Sequence, residues 1–146
     1  MIFTKQKHRT DCGIASFSML VNIPYAKALK ALHPSRKKGE QYGTRVVDFI
    51  KGFKRLGYKS NWKLATTRVR LLDIKRNVLV ILHHGSNSYH AIVWNAKEQA
   101  IYDPALNMIA YFGKNRIATP NGKYKSQSVR CFYEKILFGY ITFRRA

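Results

Sequence analysis

The sequence predicts an α+β domain, with its helices first and an antiparallel sheet after them. Two observations carry this expectation. Up to Gly57, apolar side chains recur at three- and four-residue intervals, the spacing of a helix face. Beyond Tyr58 they fall instead in short runs of strand length. No internal repeat or low-complexity segment interrupts the chain. Its 146 residues, 46% of them hydrophobic, suffice for a single domain over 1–146 with a real core.

The first helix is expected from about Asp11 to Asn22, closed by Ile23-Pro24. Ile14, Phe17, Ser18, Leu20 and Val21 share one broad face, and Asp11 is the candidate N-cap. A short second helix runs from about Tyr25 to Leu32 and stops at His33-Pro34. Ser35 to Glu40 reads as an exposed basic loop. Thr44 is the candidate N-cap of a third helix whose stripe is Val46, Val47, Phe49, Ile50 and Phe53, with Gly57 as its C-terminal cap.

Asn77 to His83 is a continuous apolar run, as a central strand buried on both faces would show. Gly85 to Ser88 is turn chemistry. Tyr89–Trp94 and Ala100–Tyr102 read as two further strands, and Val129–Tyr133 with Ile136–Phe143 as a C-terminal pair. Gly113 to Gln127, polar and basic, is expected to be a long loop.

Lys and Arg total 27 against 7 Asp and Glu, a formal charge of +20. Such a charge attracts polyanions without choosing among nucleic acid, acidic protein and an anionic membrane surface. Basic residues flank aromatics in Lys123-Tyr124-Lys125 and Phe143-Arg144-Arg145, which suits nucleic acid but equally describes a solvated surface. No apolar run approaches the roughly 20 residues of a membrane span, and the opening Met1 to Lys7 lacks the apolar core of a signal peptide. Cys12 and Cys131 show neither CxxC nor zinc-type spacing. The expectation is a cytoplasmic protein with two free thiols, no cofactor and no metal.

Reactive chemistry centres on Gln6-Lys7-His8-Arg9-Thr10-Asp11-Cys12-Gly13. A thiol in the first turn of a buried helix meets unpaired N–H groups and the positive end of the macrodipole, both of which favour the thiolate. The Gln6 amide, six residues upstream, could join the Cys12 N–H in binding an oxyanion. Cys12 could equally be one more small buried hydrophobe. The sheet supplies the second half. A hairpin centred between Ala96 and Lys97, with either a two- or a four-residue loop, makes paired positions sum to 193. Trp94 then faces Gln99, Ile92 faces Ile101 and His90 faces Asp103. An imidazole and a carboxylate on one face can hydrogen-bond, and Pro104 should end the strand and expose the carboxylate at a rim. In isolation the pair could be an ordinary cross-strand contact; Cys12 and Gln6 together with it make the general scheme of a thiol nucleophile.

These residues resemble the peptidase C39 family, papain-like cysteine peptidases best known as N-terminal domains of bacteriocin-exporting transporters. The first motif of that family, a Gln, four residues, then Asp-Cys-Gly-x-Ala, is similar to Gln6 to Ala15. Its glycine segment resembles Gly43-Thr44-Arg45 through Gly57-Tyr58, its histidine strand Tyr89 to Val93, and its Asp-Pro motif Asp103-Pro104-Ala105. The resemblance implies a papain-like fold with N-terminal helices packed on a C-terminal antiparallel sheet. It implies Cys12 as nucleophile, His90 as base and acid, Asp103 as its orienter and Gln6 as oxyanion donor. The activity implied is peptide hydrolysis through an acyl-enzyme. Transporter-linked members cut leader peptides after Gly-Gly; this chain, with no membrane span and no GxxxxGK[ST] loop, is expected to stand alone.

The expected partner is a protein or peptide substrate, acidic if the charge recruits it, with non-specific nucleic-acid contact as a side effect. One rival is a basic nucleic-acid-binding protein on a papain-like scaffold with a vestigial catalytic set. The other is a related thiol amidase or deamidase. His83 and His84, adjacent and so on opposite strand faces, make a poor metal pair. His8 is expected at the surface, and Cys131 to be structural.

Overall fold

A computed structural model of the chain describes residues 1–36, 43–65, 69–83, 89–112, 116–118, 124–126, 133 and 136–146. Helices come first: α1 (Cys12–Val21), α2 (Tyr25–Leu32) and α3 (Val46–Arg55). The strands follow as β1 (Tyr58–Leu64), β2 (Val78–His83), β3 (Tyr89–Asn95), β4 (Ala100–Asp103), β5 (Met108–Tyr111), β6 (Arg116–Ala118), β7 (Tyr124–Ser126) and β8 (Leu137–Arg145). They form one sheet in the order β1-β8-β2-β3-β4-β5-β6-β7, every described neighbour pair antiparallel.

Strand β2 shows why its sequence is apolar throughout. Leu79 and Ile81 meet Ile14, Phe17 and Phe49 on the helix-covered face, while Val78, Val80 and Leu82 join Ile92, Trp94 and Tyr133 on the other. Burial on both faces removes the alternation that a one-sided strand displays. On the helix side the first and third helices interlock through Phe17 and Phe53, whose ring centroids lie 4.8 Å apart edge-on. Gly13 permits the close approach there. A Cβ at Gly13 would lie 2.8 Å from the Thr44 Cβ and 2.9 Å from the Phe49 ring. Gly57 ends α3 at φ +82°, its N–H donating to the Lys54 carbonyl at 3.0 Å, as its type predicts.

Several expectations need correction. Arg45, not Thr44, occupies the N-cap of α3, and the Asp48 carboxylate accepts from the Arg45 N–H at 2.9 Å. The Thr44 hydroxyl is instead 3.0 Å from His33 Nε2. Strand β1 was not foreseen; Tyr58, Ser60 and Trp62 face inward there, and a Ser between two aromatics gives a weak apolar period. The segment expected to be one long loop contains β6 and β7. They extend the sheet through Ala110↔Ile117 and Ile117↔Lys125. Three-residue strands at a sheet edge are too short to show the alternation that would announce them. Strand β5, also unforeseen, pairs Tyr102 with Ile109.

The β3–β4 register is shifted by two from the expected one: Asn95 faces Ala100, Trp94 faces Ile101 and Val93 faces Tyr102. The turn is Ala96 to Gln99, with Gln99 in the left-handed region at φ +51° and Asn95 Oδ1 accepting from the Glu98 N–H at 3.2 Å. A shift of two leaves each side chain on its original face, so His90 and Asp103 still share one, as diagonal neighbours. The basic residues 37–40, the turn 85–88, and residues 129–132 of the expected C-terminal pair lie outside the described residues.

Candidate active site

Cys12 is the first residue of α1, partly exposed at the mouth of a cavity. Asp11 sits at the N-cap but does not cap with its side chain. Its buried carboxylate turns back to accept from the Lys7 N–H at 3.2 Å, the His8 N–H at 3.0 Å and the Tyr25 hydroxyl. This ties the 7–11 turn around one charge and keeps that carboxylate off the helix's first N–H groups. Burial, then the hydrogen bond and charge of Asp11, raise the Tyr25 phenol well above its ordinary range, so it stays a donor.

The same turn holds Gln6. Its side-chain nitrogen donates to the His8 carbonyl at 2.9 Å and reaches that of Arg9 at 3.5 Å; its backbone N–H donates to the Pro104 carbonyl at 3.3 Å. The two carbonyls fix which end of the amide is nitrogen, because the reverse would oppose oxygen to oxygen. The link to Pro104 fastens the Cys12 turn to the residue after Asp103.

Asp103 closes β4, and Pro104 follows outside the strand as expected. Asp103 is 1% exposed rather than displayed at a rim. Its Oδ1 accepts from His90 Nε2 at 2.8 Å, from the Ala105 N–H at 3.1 Å and from the Leu106 N–H at 3.3 Å. Its Oδ2 accepts from the Tyr133 hydroxyl at 3.0 Å. The two backbone contacts form an Asx-type turn, which is why an Asp precedes this bend. Burial would raise the carboxyl, but the bond and charge of His90, the Leu106 N–H and Tyr133 hold it below its ordinary value. Burial likewise would lower His90. Hydrogen bonds to Asp103 and to the Cys12 side chain, with both charges, override it and lift the imidazole to about 10. The group is therefore built to hold an imidazolium between a carboxylate and a thiol.

Cys12, His90, Asp103 and Gln6 all line one cavity of about 850 Å³. Val46, Leu82, Tyr89 and Phe138 give it apolar walls, and Thr44 and Arg45 edge it from the start of α3. Tyr133, expected to end a strand, is helical instead, and nothing local in the sequence ties it to an Asp 30 residues earlier. His83 is exposed, its ring 5.0 Å from that of Tyr89, and does not line the cavity. His8 is exposed as expected. His84 and Cys131 lie outside the described residues. Among the described residues no group of three or more His, Cys, Asp or Glu is placed to hold a metal ion, and no helix is long and apolar enough to cross a membrane.

A model of the Peptidase C39 family matches residues 1–115. The chain is similar in fold to the peptidase domain of Streptococcus ComA, a bifunctional ABC transporter involved in a quorum-sensing pathway. That likeness has a TM-score of 0.59 at 17% identity, covering 99% of this chain and 100% of that one. It is similar also to the peptidase domain of Streptococcus mutans ComA, with a TM-score of 0.54 at 17% identity, covering 97% and 98%. No curated protein sequence matches.

Proposed function

The chain belongs to the peptidase C39 family, with the papain-like α+β fold of that family, and on that premise we propose that it is a cysteine endopeptidase using Cys12, His90, Asp103 and Gln6. The observation that supports this most is the His90–Asp103 contact of 2.8 Å, nearly closed to water, which lines one apolar cavity together with Cys12.

The steps follow from the geometry. Asp103 holds Nε2 of His90, so Nδ1 is the nitrogen left to carry the proton taken from the thiol. With the imidazole raised to about 10, that proton is already on His90 when Cys12 Sγ adds to the scissile carbonyl carbon. The oxyanion is met by the Cys12 backbone N–H at the positive end of α1 and by the Gln6 side-chain amide, which gives up its long 3.5 Å contact with the Arg9 carbonyl to do so. Collapse breaks the C–N bond as His90 returns the proton to the leaving amine, leaving a thioester on Cys12. Water then attacks the thioester with His90 as base, releasing the acid and restoring the thiol. Asp103 keeps its charge throughout and stabilises the imidazolium that forms twice.

The substrate is a protein or peptide, and the +20 charge favours an acidic one met by steering in the cytoplasm. Mass spectrometry of candidate proteins incubated with native or Cys12→Ala protein tests the proposal. New termini should appear with the native enzyme alone. Equal cleavage by both would reject a thiol mechanism.

A further inference from the structure

We propose that Tyr133 is a positioning residue for this reaction, its hydroxyl holding the Asp103 carboxylate in the orientation that faces His90. The inference rests on the peptidase mechanism above and extends the site beyond the 1–115 stretch matched by the family model. A carboxylate rotates readily about its last torsion, a broad, two-fold well. Three donors engage Oδ1 of Asp103: His90 Nε2 and the N–H groups of Ala105 and Leu106. Turning about that torsion draws Oδ1 off these three donors and, at the same time, draws Oδ2 off the Tyr133 hydroxyl 3.0 Å away. Tyr133 is thus the side-chain donor that holds the second oxygen and adds to the resistance against rotation.

Tyr133 is itself well placed to act as a fixed donor. It is 1% exposed, in the cluster with Ile92, Trp94 and Ile101, on the strands that carry His90 and Asp103. Burial and the Asp103 charge raise its phenol well above the ordinary 10, so it donates at every pH the enzyme works in. Among the described residues the titratable groups facing Asp103 are His90 and Tyr133, and those facing His90 include Asp103 and Cys12.

Tyr133→Phe removes the donor and keeps the ring. With one of its four donors gone the carboxylate turns more easily, and His90 should lose part of the charge that holds it protonated. Its titration, followed by NMR without any substrate, should move to lower pH. The alkaline limb of Cys12 alkylation by iodoacetamide should move with it. On a cleaved peptide, kcat should fall about tenfold with KM unchanged, the size expected for one hydrogen bond to a charged group. An unmoved His90 titration would make Tyr133 a packing residue. A rise would show that the hydroxyl only screens Asp103. Either overturns the proposal. Should the variant not fold, wild-type protein still decides: a slowly exchanging Tyr133 hydroxyl proton is expected, and its absence overturns the inference. Because these readings need no cleavage, failure to find a peptide substrate would count against the peptidase proposal and not against Tyr133.

Discussion

Replacing Asp103 by Asn should separate charge from shape in this site. The amide oxygen can take the Oδ1 place, where three donors converge, and its nitrogen can then donate to the Tyr133 oxygen. The fold should survive, but the negative charge beside His90 is gone. The rise of His90 from 6.5 to about 10 corresponds to about 5 kcal/mol of preference for the imidazolium, shared between Asp103 and Cys12. Assigning roughly half to Asp103 gives about 2–3 kcal/mol, or about 10²-fold in kcat/KM. Activity should therefore be weakened yet measurable. The direction with pH follows from the same shift. A raised imidazole stabilises the native state fully below pH 6.5, and that contribution fades as pH climbs through about 10. The lowered Asp103 carboxyl stabilises above its ordinary 3.8 and loses that as pH falls through its depressed value. In wild type, Tm should drop between pH 6.5 and 10; in Asp103→Asn that slope should flatten, and the alkaline limb of Cys12 alkylation should move down. An alkaline limb unchanged in Asp103→Asn would refute the claim that this carboxylate keeps His90 charged.

Three further outcomes are expected. Gln6→Ala, losing one oxyanion donor, should cost about 10²–10³ in kcat, read by steady-state kinetics; an effect on KM alone would place Gln6 in binding instead. In Gly13→Ala the new methyl, 2.8 Å from Thr44, overpacks the α1–α3 contact by about 1–3 kcal/mol against a helix-propensity gain of about 1, so calorimetry should show Tm lowered by about 2–5 °C. An acidic protein substrate should show KM rising with salt while kcat holds; a KM indifferent to salt would leave the +20 charge without a part in substrate capture.

The helices were legible because each carries its own apolar stripe: Phe17 and Phe53 mark their faces from local spacing alone. The central strand was legible for the same reason. Strand β1 was not, since it is set by pairing Tyr58 with Arg145 and Trp62 with Ile141 across some eighty residues. The hairpin register was missed by two because the turn sits one residue later than expected, and the left-handed Gln99 that closes it leaves no mark in composition. His90 and Asp103 nonetheless meet, since parity, not register, decides which face a side chain takes. Cys12, Gln6, His90 and Asp103 are proposed from helix-start chemistry, a directly opposed cross-strand pairing and a recognisable motif, and all four line one cavity. Asp11 was assigned a capping role from its position, but its carboxylate braces the preceding turn instead. Tyr133 carries no such local sign; only the folded sheet brings its hydroxyl to Asp103.

The most direct test asks which thiol reacts. Folded protein is treated briefly with iodoacetamide near pH 6, digested and mapped by mass spectrometry, alongside His90→Ala protein. A nucleophile at the start of a helix, hydrogen-bonded to His90, should be alkylated well ahead of Cys131, and that preference should collapse in His90→Ala. Preferential labelling of Cys131, or labelling of Cys12 that does not depend on His90, would contradict the assignment of Cys12 as the nucleophile.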